Sequence, residues 1–394
     1  MYKNNILIGI FKNNINKINN LYYLNELKNL LKVFKGKVIN KFLQKRIKPH
    51  RLTYVGKGFL KNISEYILNN KNIDTVIFDD ELSLSQIKNI EKYIKCNISD
   101  RTKLILDIFY YKAKTFNAKL QIKLAQYEYL LPRLKHMWKH LERQKGGIGM
   151  RGPGEKEIET DKRRIKNSIL KIKKKLKKIN NNIIIKRNNR RNKISISVIG
   201  YTNVGKSTII NDFIKKKLLV ENKYFTTLDT NVNYYYYNNN KFIIIDTIGF
   251  IRKIPTTLIE SFKSTLLEIK KSDIIIHIID ISSINIVDKY LYIMNFLIKL
   301  KIINKKIITI INKIDKIKNN NIKKYIISNI YKNKILKIKN NKIYYIYKIN
   351  NNYYKKISRF YLYSKKIIYK NKIIDSIKKY IYNKTKNIKY FTFY

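Results

Sequence analysis

One stretch restricts this chain more than any other: Gly200-Tyr201-Thr202-Asn203-Val204-Gly205-Lys206-Ser207-Thr208. It fits G-x-x-x-x-G-K-[ST], the phosphate-binding loop, and it sits in the setting that motif requires. Ile194-Ser195-Ile196-Ser197-Val198-Ile199 reads as a short apolar strand, and Thr208-Ile209-Ile210-Asn211-Asp212-Phe213-Ile214 as the start of a helix. Glycines let backbone N–H groups wrap a phosphate, and a helix N-terminus adds a favourable dipole. Lys206 is then expected on the β- and γ-phosphates and the Ser207 hydroxyl on Mg2+. An α/β fold with a mostly parallel sheet follows for this half of the chain.

Further motifs follow in the order a GTPase needs. Phe242-Ile243-Ile244-Ile245-Asp246-Thr247-Ile248-Gly249 is a strand ending in D-x-x-G. Asp246 is expected in the Mg2+ shell, and the Gly249 N–H at the γ-phosphate, so that this loop senses whether that phosphate is present. Ile307-Ile308-Thr309-Ile310-Ile311-Asn312-Lys313-Ile314-Asp315 is a strand ending in N-K-x-D, the segment that chooses the base. A carboxylate at Asp315 can accept from guanine N1–H and N2–H2 together. Adenine would leave it unpaired, a mismatch that can cost roughly 10⁴ or more in discrimination. Asn312 is expected to bind neighbouring loop backbone, and the Lys313 stem to cover the base.

Between the phosphate loop and D-x-x-G lies Phe225-Thr226-Thr227-Leu228-Asp229, where a threonine must ligate Mg2+ and close over the γ-phosphate; Thr227 is chosen over Thr226. The expected metal ligands are Ser207, Thr227 and Asp246, and the expected catalytic groups Lys206, Thr227 and Gly249. The last base contact is sought after a final strand and falls on Ser364-Lys365, with Lys where Ala is usual. Phe250 stands where Ras-like GTPases carry a water-orienting glutamine, so slow intrinsic hydrolysis is expected.

A net charge of +59 would ordinarily announce a nucleic-acid partner. Here Ile, Lys, Asn, Tyr and Phe dominate, all encoded by A/T-rich codons, so part of the lysine excess reads as solvated surface. The single Cys96 excludes an internal disulfide or a multi-cysteine zinc site and fits a reducing compartment. His50, His136, His140 and His277 show no ligand-type spacing; the 136/140 pair reads as structural or RNA-facing. No apolar run approaches the length of a membrane span, and the N-terminus is too polar after Ile10 for a signal peptide.

At 394 residues two or three domains are expected. Residues 1–116 read as a small α/β domain, with strands at Ile6–Ile10, at Leu52-Thr53-Tyr54-Val55 entering the turn Gly56-Lys57-Gly58, and at Thr75–Phe78, and a helix over Ser85–Ile94. Residues 117–182 read as a helical hairpin: Leu120, Leu124, Tyr127, Leu131, Leu134, Trp138 and Leu141 form one seam, and Ile158, Ile165, Ile169, Ile172, Leu176 and Ile179 a second. Pro132 should kink the first helix. Five of the twelve glycines fall in the tip, 146–154, which is either a flexible turn or a tip lying close to a phosphate backbone with Arg151 as its charge. Residues 183–193, within a polar basic stretch that begins near Asn180, read as a linker; 194–394 form the nucleotide domain, with a low-complexity insertion at about 319–356.

Together these residues resemble the HflX family of ribosome-associated GTPases over roughly 50–315. The resemblance rests on Tyr54-Val55-Gly56-Lys57-Gly58, Asp100-Arg101-Thr102-Lys103-Leu104, Leu124-Ala125-Gln126-Tyr127-Glu128 and, most specifically, Gly146-Gly147-Ile148-Gly149-Met150-Arg151-Gly152-Pro153-Gly154-Glu155 with Glu159-Thr160-Asp161-Lys162-Arg163-Arg164. It implies an N-terminal α/β domain, a helical hairpin and a G domain. It also implies binding to the large ribosomal subunit and its rRNA, with Arg151, Gly152, Arg163 and Arg164 as contact candidates. The task would be ribosome splitting or rescue, or subunit maturation, by a monomer that is cytoplasmic and partly ribosome-associated. The alternative is a non-enzymatic rRNA-binding protein that keeps a residual G domain.

Overall fold

Apolar runs and helical periods alternate along the chain, and the strands they produce assemble into two sheets. The structure, a computed structural model, describes residues 2–12, 14–70, 72–137, 153–188, 193–214, 231–237, 240–283, 285–302, 305–313, 316, 342–345 and 355–357. By its contacts the chain divides into two units, Met1–Asn181 with Lys253–Phe262, and Asn182–Arg252 with Lys263–Tyr394.

The first unit is built from β1 (Asn4–Phe11), α1 (Asn14–Leu31), β2 (Lys37–Lys45), α2 (Lys57–Asn69), β3 (Thr75–Phe78), α3 (Leu84–Glu91), β4 (Asn97–Asp100), α4 (Arg101–Lys112), α5 (Phe116–Met137) and most of α6 (Pro153–Asn188), whose last turns from Asn182 on fall to the second unit. Its four strands run parallel in the order β2-β1-β3-β4. The central strands are apolar without alternation because helices cover both faces: Ile6, Leu7, Ile8, Val76, Ile77 and Phe78 are wholly buried. Helix α3 starts with a capping box, the Ser83 side chain accepting from Gln86 N–H while the Gln86 side chain accepts from Ser83 N–H. Helix α4 starts on Asp100, whose carboxylate accepts from Lys103 N–H.

Two sequence expectations fail in this unit. Leu52-Thr53-Tyr54-Val55 is not a strand but a turn, closed by a single His50–Tyr54 bridge. Tyr54 takes φ 65° there and its hydroxyl donates to Asp80 at 2.5 Å, a long-range bond that holds the turn. The stretch from Asn180 is not linker throughout, since α6 continues to Asn188. The two seams do meet: Leu124, Ile169, Ile172 and Leu176 form one buried cluster flanked by Leu120, Tyr127, Leu131 and Ile165, and Lys173 pairs with Glu128 at 2.8 Å. Helix α5 runs through Pro132. Residues 146–152 of the glycine-rich tip, Trp138, His140 and Leu141 lie outside the described residues, while Pro153 and Gly154 open α6.

At the C-terminal ends of β3 and β4 the unit carries charges that neutralise one another. Arg101, 1% exposed, donates to Asp79 at 2.8 Å and to Glu26 at 2.9 Å. Asp100 accepts from Leu82 N–H at 3.1 Å and from the Tyr129 hydroxyl at 2.9 Å, with Arg133 3.8 Å away. Lys253, which belongs to this unit, pairs with both Asp79 and Asp80.

The second unit contains β5 (Ser195–Gly200), α7 (Lys206–Ile214), β6 (Asn231–Tyr237) and β7 (Asn240–Asp246). After α8 (Thr256–Ser261), which packs on α5 in the first unit, it continues with α9 (Lys263–Lys271), β8 (Ile274–Asp280), α10 (Ile286–Lys299), β9 (Lys306–Asn312), β10 (Lys342–Tyr345) and β11 (Lys355–Ile357). The order is β11-β10-β9-β8-β5-β7-β6, antiparallel at the two ends and parallel between. Near-continuous isoleucine in β8 and β9 is what a strand covered on both faces requires. This sheet puts the C-terminal ends of β5, β7 and β9, and therefore the phosphate loop, D-x-x-G and the Asn312-Lys313 start of N-K-x-D, along one edge.

Candidate active site

Strand β5 delivers the chain to Gly200, and α7 begins at Lys206, so the phosphate loop spans a strand end and a helix start as expected. Its glycines are sterically required. A Cβ on Gly200 would lie 2.6 Å from the Ile278 carbonyl oxygen, and one on Gly205, whose φ is +90°, 2.5 Å from Asn312 Nδ2. Val204 and Thr202 are buried, and Thr208 lies in the first turn of α7.

Lys206 is buried and its Nζ donates to the carbonyls of Tyr201 at 3.0 Å and Gly200 at 3.3 Å. Burial lowers this amine to about 8, against an opposing pull from Asp246. The Ser207 hydroxyl donates to Asp246 at 3.1 Å, so two of the three expected metal ligands are neighbours. Hydroxyl and carboxylate oxygens are the hard donors Mg2+ takes, so this pair fits that ion. Among the described residues no group of three or more His, Cys, Asp or Glu could hold a metal.

Gly249 approaches so closely that a Cβ there would lie 2.7 Å from the Thr202 side chain and 3.0 Å from Lys206 Nζ. Thr247, between Asp246 and Gly249, is buried and donates its hydroxyl to Val198 O at 2.6 Å, anchoring the loop to β5. Phe250 is 5% exposed and packs edge-on to Phe296 with centroids 4.9 Å apart. A ring so placed presents no polar atom to a water.

At the end of β9, Asn312 Nδ2 donates to Val204 O at 2.7 Å, joining the base-choosing segment to the phosphate loop. Lys313, at φ 61°, donates to Asn203 O and pairs with Asp280 at 2.9 Å. Sequence reading did not single out Asp280; its place at the end of an apolar strand, β8, was the available signal. Phe225, Thr226, Thr227, Leu228, Asp229, Ile314, Asp315, Ser364, Lys365, Arg151 and Gly152 lie outside the described residues. Arg163 and Arg164 are exposed on α6, and Arg164 pairs with Asp161 at 3.4 Å. No described helix is long and apolar enough to cross a membrane.

A mostly parallel sheet whose strand ends bring together a glycine loop, a buried lysine, a serine–aspartate pair and an asparagine brace is the nucleotide-handling apparatus of a P-loop GTPase. Comparison with known proteins agrees. Residues 22–110 match the family described as GTP-binding GTPase N-terminal, 112–190 the GTP-binding GTPase Middle Region, and 195–313 the 50S ribosome-binding GTPase. The GTPase HflX of Flavobacterium psychrophilum is 46% identical over 318 residues, covering 81% of this chain and 77% of its own length. That of Escherichia coli K12 is 38% identical over 244 residues, covering 60% and 56%. A solved GTP-binding protein of the archaeon Sulfolobus solfataricus in complex with GDP is 24% identical, with 87% of this chain and 93% of that one covered and a TM-score of 0.43. The chain belongs to the HflX family of GTPases, and it binds GTP and hydrolyses it to GDP.

Proposed function

We propose that this chain is a GTP-driven factor of the large ribosomal subunit, serving ribosome splitting or rescue or subunit maturation. The observation that carries the GTP-driven part of this reading is the convergence of Lys206, Ser207, Asp246 and Gly249 in one site, Ser207 and Asp246 being 3.1 Å apart. Lys206 holds the β- and γ-phosphates, and the Gly249 N–H meets the γ-phosphate. Ser207, Asp246 and Thr227 hold Mg2+, which supplies charge neutralisation on the phosphates when bound. Asp315 reads guanine, Asn312 and Lys313 keep that segment on the phosphate loop, and Ser364-Lys365 closes over the base.

GTP orders Thr227 and the Gly249 loop; this form binds the subunit, and hydrolysis releases it. Support for the ribosomal partner comes from the description of the family matching residues 195–313 and from relatives named GTPase HflX. Arg151 and Gly152 in the tip, with Arg163 and Arg164 in the N-terminal third of α6, face rRNA. The division of labour follows the chain: α/β region 1–116, a helical hairpin whose second helix continues to Asn188, and a nucleotide domain from 194 on, of which 253–262 belongs with the first unit. The protein works as a cytoplasmic monomer, partly on ribosomes.

The test is steady-state GTP and ATP hydrolysis with and without purified large subunits. Slow GTP turnover that rises on adding subunits, and is lost in Lys206→Ala, is the expected result. Turnover indifferent to subunits would end the ribosomal reading.

A further inference from the structure

The Tyr201 side chain takes no part in the phosphate chemistry assigned above; only its carbonyl serves Lys206. Its hydroxyl accepts from the backbone N–H of Arg252 at 2.6 Å. Two backbone bonds join the same two segments: Phe250 N–H donates to Gly200 O at 3.0 Å, and Thr202 N–H to Phe250 O at 2.8 Å. The residues that follow Gly249 are thus laced to the start of the phosphate loop, and one of the laces depends on a particular side chain.

That side chain is braced. The Tyr201 ring is 4% exposed, and the Lys289 ammonium lies over it, 4.7 Å from the centroid. Lys289 is itself held by the Ser283 hydroxyl at 2.6 Å. A ring fixed between a cation and the protein interior holds its hydroxyl at one point, where it meets the Arg252 N–H. Immediately upstream, Gly249 lies against Thr202 and Lys206.

We propose that Tyr201 is a positioning residue that holds the segment after D-x-x-G down on the phosphate loop and so sets the preference between GTP and GDP. Drawing the Gly249 N–H onto a γ-phosphate oxygen moves the segment joined to it, and the Tyr201–Arg252 bond resists that movement. GDP makes no such demand. The bond therefore opposes GTP and is neutral toward GDP. The inference rests on the γ-phosphate role proposed for Gly249.

The test is Tyr201→Phe in the full chain, which keeps the ring and its Lys289 contact and removes only the hydroxyl. Affinities for GDP and for a non-hydrolysable GTP analogue are measured without ribosomes, alongside kcat and KM. One net hydrogen bond corresponds to a change of about fivefold, so the analogue-to-GDP affinity ratio should rise about that much. Lys289→Ala should shift it the same way by less. An unchanged or lowered ratio overturns the tether, including the case where both affinities fall together or only the melting temperature falls. A wild-type chain that does not distinguish the analogue from GDP would instead sink the role given to Gly249.

Discussion

The two units set the same kind of strand edge to opposite uses. C-terminal ends of parallel strands are where open α/β sheets ordinarily bind ligands. In the second unit that edge presents glycine backbone, a helix N-terminus and the Lys206 amine, an arrangement that attracts an anion. In the first unit the edge is filled: Arg101 satisfies Asp79 and Glu26, Asp100 is enclosed by Leu82, Tyr129 and Arg133, and Lys253 covers Asp79 and Asp80. Architecture alone does not make a site. The difference lies in whether the charges at the edge are spent on each other.

The sharpest way to break this contrast is to unbalance the closed edge. Arg101→Met removes the buried cation that Glu26 and Asp79 share, although Lys253 stays on Asp79, and should lower the stability of the first unit by about 3–5 kcal/mol in denaturant titration. Adding Glu26→Gln and Asp79→Asn should recover much of that loss. The same operation at the open edge should behave differently. Lys206→Ala should cut GTP turnover roughly a hundredfold or more without lowering the melting temperature, since it deletes a buried amine that burial already disfavours.

A third test separates the units by acid. His277 is buried in β8 and burial pushes it down to about 3, below its ordinary 6.5. The folded state therefore favours the neutral ring. That stabilisation is complete above pH 6.5 and is lost as pH falls toward 3. Between pH 7 and 5 this group should remove about 2 kcal/mol from the second unit, a loss that His277→Phe should abolish in urea unfolding followed by a probe in that unit. The smallest effect is at the phosphate loop. With Lys206 at about 8 before phosphates raise it again, GTP affinity should fall about fivefold between pH 8 and 9, and Lys206→Ala should flatten that slope.

The open edge was legible in the sequence because phosphate chemistry demands particular residues at particular spacings. Gly200, Gly205, Lys206, Ser207, Asp246 and Asn312 could each be named before any coordinates. The closed edge was not, because its partners are far apart in the chain: Arg101 meets Glu26 across 75 residues and Asp79 across 22. Strand β2 escaped notice since its sequence, KVINKFLQK, has no fully buried position to mark it. The turn at Tyr54 passed for a strand because Thr53, Tyr54 and Val55 are residue types that favour strands, while neither the φ of 65° nor the bond to Asp80 leaves a local trace. Nor does any pattern reveal that 253–262 packs with the first unit, where Phe262 lies 5.4 Å from Phe109.

The bond from Asn312 to Val204 also dates the site within synthesis. Its partners are 108 residues apart, so a growing chain exposes the phosphate loop long before the residue that braces it exists. At about 5–20 residues per second that interval is roughly 5–20 s. Through it Gly205 lacks the amide that packs against it, and the Val204 carbonyl lacks the donor that fixes the loop in its final shape. Competence to bind GTP thus arrives late, as β9 joins the sheet, and a chain interrupted before residue 312 carries the phosphate-loop sequence without its brace.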